Sequence, residues 1–123
     1  DLMRRKNIVI PDSNVLILGF SFKENCPDLR NTKVFDLANA FERHGCNVDI
    51  FDPWVNLKDA YDEYRITPIS EPKIGKYDAL IIAVAHDEFK KLTLKELKQF
   101  GKNEHVLYDI KYLLDKNQVD GRL

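Results

Sequence analysis

Two cationic side chains, Lys23 and Arg30, lie in a polar loop that directly follows an apolar run of the sequence. The run at residues 15–18 is continuous, as is typical of a parallel strand covered on both faces, and Gly19 follows it. In open α/β sheets, ligands bind in the crevice beyond the carboxyl ends of the strands. Because ammonium and guanidinium groups suit phosphate oxygens, this loop predicts a site for a phosphorylated ligand.

Two aspartates near this loop each allow two interpretations. Asp28 precedes Arg30 by two residues, so its carboxylate could orient the guanidinium or could only stabilise the turn. Asp52 ends the second predicted strand, where an acidic residue can hold a ribose, but the following proline makes a strand-ending turn the better explanation. The first strand lacks G-x-G-x-x-G, which predicts that this domain does not bind a dinucleotide by itself in the usual way.

His86 and the two cysteines are the remaining candidates for chemistry. His86 could act as a general base, but no nucleophile accompanies it in the sequence, so a structural role is favoured. Cys26 and Cys46 are twenty positions apart, which excludes the C-x-x-C spacing of zinc and redox sites. We therefore predict neither a metal site nor a catalytic cysteine in this chain.

The alternation of apolar segments predicts an α/β fold, a three-layer Rossmann-like domain with a mainly parallel sheet and helices on both faces. Strands are predicted at about residues 14–18, 47–51, 79–85 and 105–108. Helices are predicted from a cap at Asn31 or Thr32 to residue 44, at residues 57–64, and from residue 92 or 93 to residue 100. Gly45 and Gly101 are expected to end the first and third helices.

The composition limits the domain count and the partners. The 123 residues suit one domain, predicted at residues 13–123, with residues 1–12 as the end of a preceding helix or a linker. Nineteen basic residues against twenty acidic ones argue against nucleic acid or an anionic membrane as a partner. No apolar stretch reaches the roughly 20 residues that span a bilayer, and no signal peptide opens the chain, so a cytoplasmic location is expected.

A family resemblance appears in the same loop. Gly19, Phe22, Lys23, Asp28 and Arg30 follow the pattern G-x-x-F-K-x(4)-D-x-R-x-S/T. The pattern resembles the carboxyl-terminal, UDP-binding domain of the UDP-glucose/GDP-mannose 6-dehydrogenase family. The segments FKEN at 22–25, DLRN at 28–31, VAHDEF at 84–89 and YDIK at 108–111 further resemble the branch that acts on UDP-N-acetylhexosamines. The resemblance extends over residues 8–123.

The resemblance implies a role for four residues. Phe22 and Lys23 would bind the nucleotide sugar, and Arg30 would reach the dinucleotide cofactor. Lys111 occupies a place where many relatives carry an arginine that contacts the nucleotide. Lysine keeps the charge there but loses planar stacking and bidentate contact.

The resemblance also implies what the whole protein does. It would be an NAD-dependent dehydrogenase that oxidises the C6 alcohol of a UDP-N-acetylhexosamine to a uronic acid for surface polysaccharide synthesis. Because the chain starts at Asp1, we expect it to be an excised piece. The NAD-binding domain, the central domain and the catalytic cysteine would then lie elsewhere in a homo-oligomeric protein, and the piece alone would be inactive. The alternatives are a UDP-glucose or GDP-mannose dehydrogenase domain, or a stand-alone nucleotide-binding or regulatory module without catalysis.

Overall fold

The computed structural model describes residues 2, 10–30, 32–111, 114 and 116–122. These residues form one parallel sheet with helices between its strands. The strands are β1 (Asn14–Leu18), β2 (Asn47–Phe51), β3 (Tyr77–Ile82), β4 (Gly101–Asp109) and β5 (Gly121–Arg122), and the helices are α1 (Val34–Arg43), α2 (Leu57–Tyr64), α3 (Asp87–Lys90) and α4 (Leu94–Lys98). The strand order is β2-β1-β3-β4-β5, with every neighbouring pair parallel.

The sheet carries an apolar cluster on each face, which confirms the predicted three-layer α/β fold. Val15 and Ile17 of β1 point into one cluster, where Val34 and Ala38 of α1 and residues of α2 pack. The alternate residues of β1, at positions 16 and 18, point into the other cluster, with buried residues of α3 and α4. This alternation is what the two-residue period of a strand produces when both faces are covered.

Local sequence explains the elements around β2. The first helix was predicted to start at Asn31 or Thr32. Asn31 lies outside the described residues, and the predicted cap at Thr32 was wrong, since the residue before α1 is Lys33, whose side chain makes no capping hydrogen bond. The Thr32 hydroxyl still accepts a hydrogen bond from the Val34 N–H at 3.2 Å. Gly45 adopts φ +89°, the left-handed conformation expected after a helix. The Asn56 side chain caps α2 by accepting from the Asp59 N–H at 3.1 Å.

Several predicted boundaries in the second half of the chain were wrong. β3 starts earlier than predicted because Tyr77 and Asp78 are buried, and it ends before residue 83 because the Ala83 and Val84 N–H groups both donate to Leu18 O. The helix predicted from residue 92 or 93 to residue 100 is shorter, since α4 spans Leu94–Lys98 after a Thr93 cap, and the separate helix α3 precedes it at Asp87–Lys90. Gly101 does not end a helix; it begins β4 and pairs with Tyr77.

The last strand and the first residues of the chain also differ from, or lie outside, what can be compared with the sequence predictions. β5 was not predicted, because a two-residue strand carries no periodic signal. The predicted helix end or linker at residues 1–12 lies mostly outside the described residues. No helix in the described part of the chain is long and apolar enough to cross a membrane.

The strand order determines where the loops meet. Parallel pairing places the carboxyl ends of all the strands at one edge of the sheet, which we call the exit edge. The chain leaves β1 toward β2 on one side and later leaves β3 toward β4 on the other. The topological switch point, where doubly wound sheets bind ligands, therefore lies at the exit edge between β1 and β3.

Candidate functional site at the exit edge of the sheet

Residues 19–33 form the loop between β1 and α1, which we call the exit loop, and its buried residues attach it to the core. Phe20 and Leu29 are buried in the first apolar cluster. The Thr32 hydroxyl donates to the Phe20 carbonyl at 2.7 Å, and the Tyr64 hydroxyl donates to the Leu29 carbonyl. These contacts fix the path of the loop without using the side chains that the motif singled out.

Phe22 and Lys23 lie at the exposed tip of the exit loop. The Phe22 side chain is 55% exposed, which is unusual for a large aromatic residue, and Lys23 beside it is exposed as well. The tip is closed on itself, because the Phe22 N–H donates to the Asp28 carbonyl at 2.7 Å and the Ser21 hydroxyl donates to the Lys23 carbonyl at 2.9 Å. An aromatic face and an ammonium group are thus presented together by a constrained backbone.

Arg30 is held in an extended pose by Asp28, and both interpretations of Asp28 are correct. Its carboxylate accepts from Arg30 Nε at 3.1 Å and from Nη2 at 2.9 Å, and it also accepts from the Arg30 backbone N–H at 2.9 Å. These hydrogen bonds lower the pKa of Asp28 to about 2. The guanidinium nevertheless remains 82% exposed, so it can also contact a partner outside this domain.

Asp52 and His86 form a fully buried polar centre beneath the exit loop. Asp52 Oδ2 accepts from the Phe20 N–H at 2.6 Å, the Ser21 N–H at 2.9 Å and His86 Nε2 at 2.9 Å. Asp52 Oδ1 accepts from the Trp54 N–H at 2.8 Å, which is the strand-ending turn predicted from the sequence. The carboxylate is fully occupied by the protein itself, so it is not placed to hold a ribose.

The environment of Asp52 shifts its titration. Burial by itself raises the pKa of a carboxyl group, but the hydrogen bonds from His86 and from three backbone N–H groups outweigh it and hold the pKa of Asp52 below its ordinary value. Asp52 is therefore charged near neutral pH, although its side chain has no contact with solvent. A buried charge of this kind persists only where its partners are complete.

His86 joins the exit loop to the loop that follows β3. Its ring is 0% exposed, and the Asn25 backbone N–H donates to its Nδ1 atom at 2.9 Å. Because Nδ1 accepts this bond, the proton of the neutral ring lies on Nε2, which donates to Asp52. Trp54 stacks against the imidazole, with ring centroids 6.1 Å apart, and closes this side of the centre. Both ring nitrogens of His86 are therefore engaged by the protein itself, as the favoured structural role requires.

Lys111 lies in a separate cleft of about 310 Å³ at the exit edge. The cleft is formed by the start of α1 and the segments that follow β3 and β4, and its lining residues are Lys33, Val34, Leu37, Ala83, Ile110 and Lys111. The buried Asp109 carboxylate accepts from the Lys111 N–H at 3.1 Å and so fixes the turn that carries this lysine. Two lysines, Lys33 and Lys111, therefore line a cleft whose other lining residues are apolar.

The four predicted site residues are brought to one edge but not into one pocket. Phe22, Lys23 and Arg30 lie in the exit loop after β1, whereas Lys111 follows β4, two strands away in the sheet. Neighbouring strands are about 4.8 Å apart, so the ends of β1 and β4 are about 10 Å apart along the sheet. Sequence reasoning missed Lys33, whose only signal was a positive charge at the start of a helix.

Gly19, at the end of β1, lies against the segment that follows β3. Gly19 adopts φ +105°, and a Cβ atom at this position would lie 2.5 Å from the Val84 Cβ atom. Glycine at this position therefore allows the backbone of β1 to approach Val84 closely. Within the described residues, no group of three or more His, Cys, Asp or Glu side chains could hold a metal ion.

Comparison with known proteins identifies relatives over nearly the whole chain. The family profile described as "UDP-glucose/GDP-mannose dehydrogenase family, UDP binding domain" matches residues 16–116. Proteins named UDP-N-acetyl-D-glucosamine 6-dehydrogenase from Salmonella typhi and Pseudomonas aeruginosa are each 50% identical over 98% of this chain. The chain spans only 28% and 29% of the length of these two curated relatives.

A solved structure shares the fold. The crystal structure of an NDP-N-acetyl-D-galactosaminuronic acid dehydrogenase from Methanosarcina mazei Go1 matches 95% of this chain with a TM-score of 0.79 and 21% sequence identity. The match covers 24% of that chain. At this identity the likeness supports the fold alone.

Proposed function

Because the chain belongs to the UDP-glucose/GDP-mannose dehydrogenase family, we propose that it is the nucleotide-sugar-binding domain of an NAD-dependent UDP-N-acetylhexosamine 6-dehydrogenase. The intact protein would oxidise the C6 alcohol of the sugar to the carboxylate of a uronic acid, as a step toward a surface polysaccharide. The observation that carries this proposal is the 50% identity, over 98% of this chain, to two proteins named UDP-N-acetyl-D-glucosamine 6-dehydrogenase.

The charge and shape of the exit edge support a nucleoside diphosphate as the ligand. UDP carries a diphosphate, and Lys23 and Lys111 supply exposed ammonium groups on two segments of the same edge. The exposed Phe22 ring offers an apolar face beside the Lys23 charge, suited to a base or sugar ring. In this proposal Phe22, Lys23 and Lys111 bind the substrate.

The cofactor belongs to a different part of the intact protein in this proposal. The turn after β1 carries only Gly19 where the dinucleotide fingerprint needs three glycines, so NAD would be bound by an amino-terminal domain, with a central domain between the two. Arg30 would contact the cofactor across the domain boundary, because Asp28 engages its Nε and Nη2 atoms and the guanidinium is largely exposed. This chain contributes binding and orientation, and the reacting cysteine would lie outside it.

The test is NADH production by the intact protein with a panel of UDP-sugars. We expect the highest kcat/KM with a UDP-N-acetylhexosamine; a clear preference for UDP-glucose or GDP-mannose would refute the assigned substrate. No NAD reduction with any nucleotide sugar would refute the proposed enzyme.

Lys23→Ala tests the binding role within the same assay. Loss of a charge-assisted contact to phosphate costs roughly 1.5–3 kcal/mol, which corresponds to roughly a 10-fold to 150-fold lower kcat/KM. Lys98→Ala is the matched control, because Lys98 is an exposed lysine at the end of α4, near the opposite edge of the sheet. If a folded Lys23→Ala protein and the Lys98→Ala control have equal kcat/KM values, Lys23 does not bind the substrate and is an ordinary surface lysine.

A further inference from the structure

We infer that His86 is a positioning residue for nucleotide binding, because it fixes the backbone of the exit loop at Asn25, two residues after Lys23. The inference rests on the proposed function. His86 does not touch the ligand in this account, since its ring is fully buried. It acts through the loop tip, whose direction it determines by a hydrogen bond from the Asn25 N–H to its Nδ1 atom.

The loop tip is anchored at both ends of a five-residue span, residues 21–25. At one end, the Ser21 N–H donates to Asp52 at 2.9 Å, and the Ser21 hydroxyl lies 3.2 Å from His86 Nε2. At the other end, the Asn25 N–H donates to His86 Nδ1 at 2.9 Å. His86 thus contacts both ends of the span, and Phe22 and Lys23 lie between them.

A second link from the same loop after β3 reinforces the position of Asn25. The Asn25 side-chain oxygen accepts from the Asp87 N–H at 2.9 Å. Asn25 also adopts φ +52°, a left-handed conformation that asparagine tolerates better than most residues. Two hydrogen bonds and an uncommon backbone conformation therefore hold one exposed residue at the tip, where loops are ordinarily free to move.

The competing explanation is that His86 only completes the hydrogen bonds of Asp52 and fills the core beside Trp54 and Phe89. Two substitutions separate the explanations, because glutamine places an amide near the position of Nε2 and asparagine places one near Nδ1. His86→Gln keeps a donor for Asp52 and loses the acceptor for the Asn25 N–H. His86→Asn keeps that acceptor and loses the donor to Asp52.

The experiment measures UDP binding to the intact protein by calorimetry, thermal stability, and amide hydrogen exchange over residues 21–28. We expect His86→Gln to bind UDP at least about fivefold more weakly, with faster exchange in the loop, as the loss of one hydrogen bond predicts. His86→Asn should bind UDP within about twofold of wild type while it loses more thermal stability. Equal UDP affinity of wild type and folded His86→Gln, or equal losses in both variants, would overturn the inference.

Asn25→Gly provides a test that does not disturb the core, because Asn25 is exposed and glycine accepts its backbone conformation. It removes the Asp87 link, and we expect UDP affinity to fall about twofold to threefold. If His86→Gln does not fold, faster hydrogen exchange over residues 21–28 with unchanged UDP affinity in Asn25→Gly overturns the inference, because it would show that the position of the loop tip does not affect binding. If the wild-type protein does not bind UDP, the proposed function and this inference are both refuted. If the wild-type protein binds UDP and His86→Gln binds it equally tightly, only this inference is refuted.

Discussion

Asp52→Ala should be among the most destabilising single substitutions in this domain. The change removes the acceptor of four hydrogen bonds and leaves three donors in a fully buried centre, the Phe20 N–H, the Ser21 N–H and the His86 Nε2–H. Each unsatisfied buried donor costs about 1–3 kcal/mol. Since water can partly fill the space that alanine leaves, we expect a loss near the lower sum, about 3–5 kcal/mol in the free energy of unfolding.

Asp52→Asn removes the negative charge of the side chain but keeps nearly the same shape. The amide oxygen can replace Oδ2, but the amide nitrogen then faces the Trp54 N–H, which needs an acceptor. We expect a loss of about 1.5–3 kcal/mol, smaller than for alanine.

The difference between wild type and Asp52→Asn should depend on pH. The folded-state pKa of Asp52 lies below its ordinary value, because the hydrogen bonds outweigh the effect of burial. The stabilisation is therefore fully present above the pKa of the unfolded carboxyl group and is lost as pH falls through the folded pKa. The two proteins should differ most near neutral pH and converge only in strong acid.

Urea unfolding followed by circular dichroism measures both effects. Asp62→Ala is the control, because Asp62 is an exposed carboxylate that pairs with Lys58 on the same helix face at 2.9 Å, and its loss should cost less than about 0.5 kcal/mol. If Asp52→Ala and Asp62→Ala unfold at similar urea concentrations, the buried network does not stabilise the domain in the way its geometry indicates.

Three further predictions concern Gly19 and the cysteines. Gly19→Ala should lower the free energy of unfolding by at least about 2 kcal/mol, because φ is +105° and the new Cβ would overlap Val84; an unchanged urea midpoint would contradict the close approach. A thiol reagent should modify half-buried Cys26 before buried Cys46, whose pKa is raised by burial, and a Cys26→Ser variant assigns the faster reaction; equal rates in the folded protein would contradict this order. Alanine at Cys26 should leave NADH production by the intact protein largely intact, and an acyl adduct found on Cys26 by mass spectrometry would contradict the division of work between domains.

Much of the fold could be predicted from local sequence. β1, β2 and α2 have the bounds that the sequence predicted, since each is limited by a strong local signal such as Gly19, Asp52 followed by proline, or the Asn56 cap. β3 and β4 were misplaced because pairing with neighbours determines their ends. Gly101 illustrates this, since the same residue type can end a helix or begin a strand, and only the pairing with Tyr77 decides between them.

The sequence by itself determined the parallel α/β class, the family motif in the exit loop and the absence of a dinucleotide fingerprint. Only the tertiary structure decided what Asp52, His86 and Asn25 do, because hydrogen bonds join residues that are 34 and 61 positions apart in the chain. The physical reason is that parallel pairing gathers the carboxyl ends of β1, β2 and β3 at one edge. A buried carboxylate, an imidazole and a loop N–H can then form hydrogen bonds with one another there, and no local pattern in the sequence predicts that these groups come together.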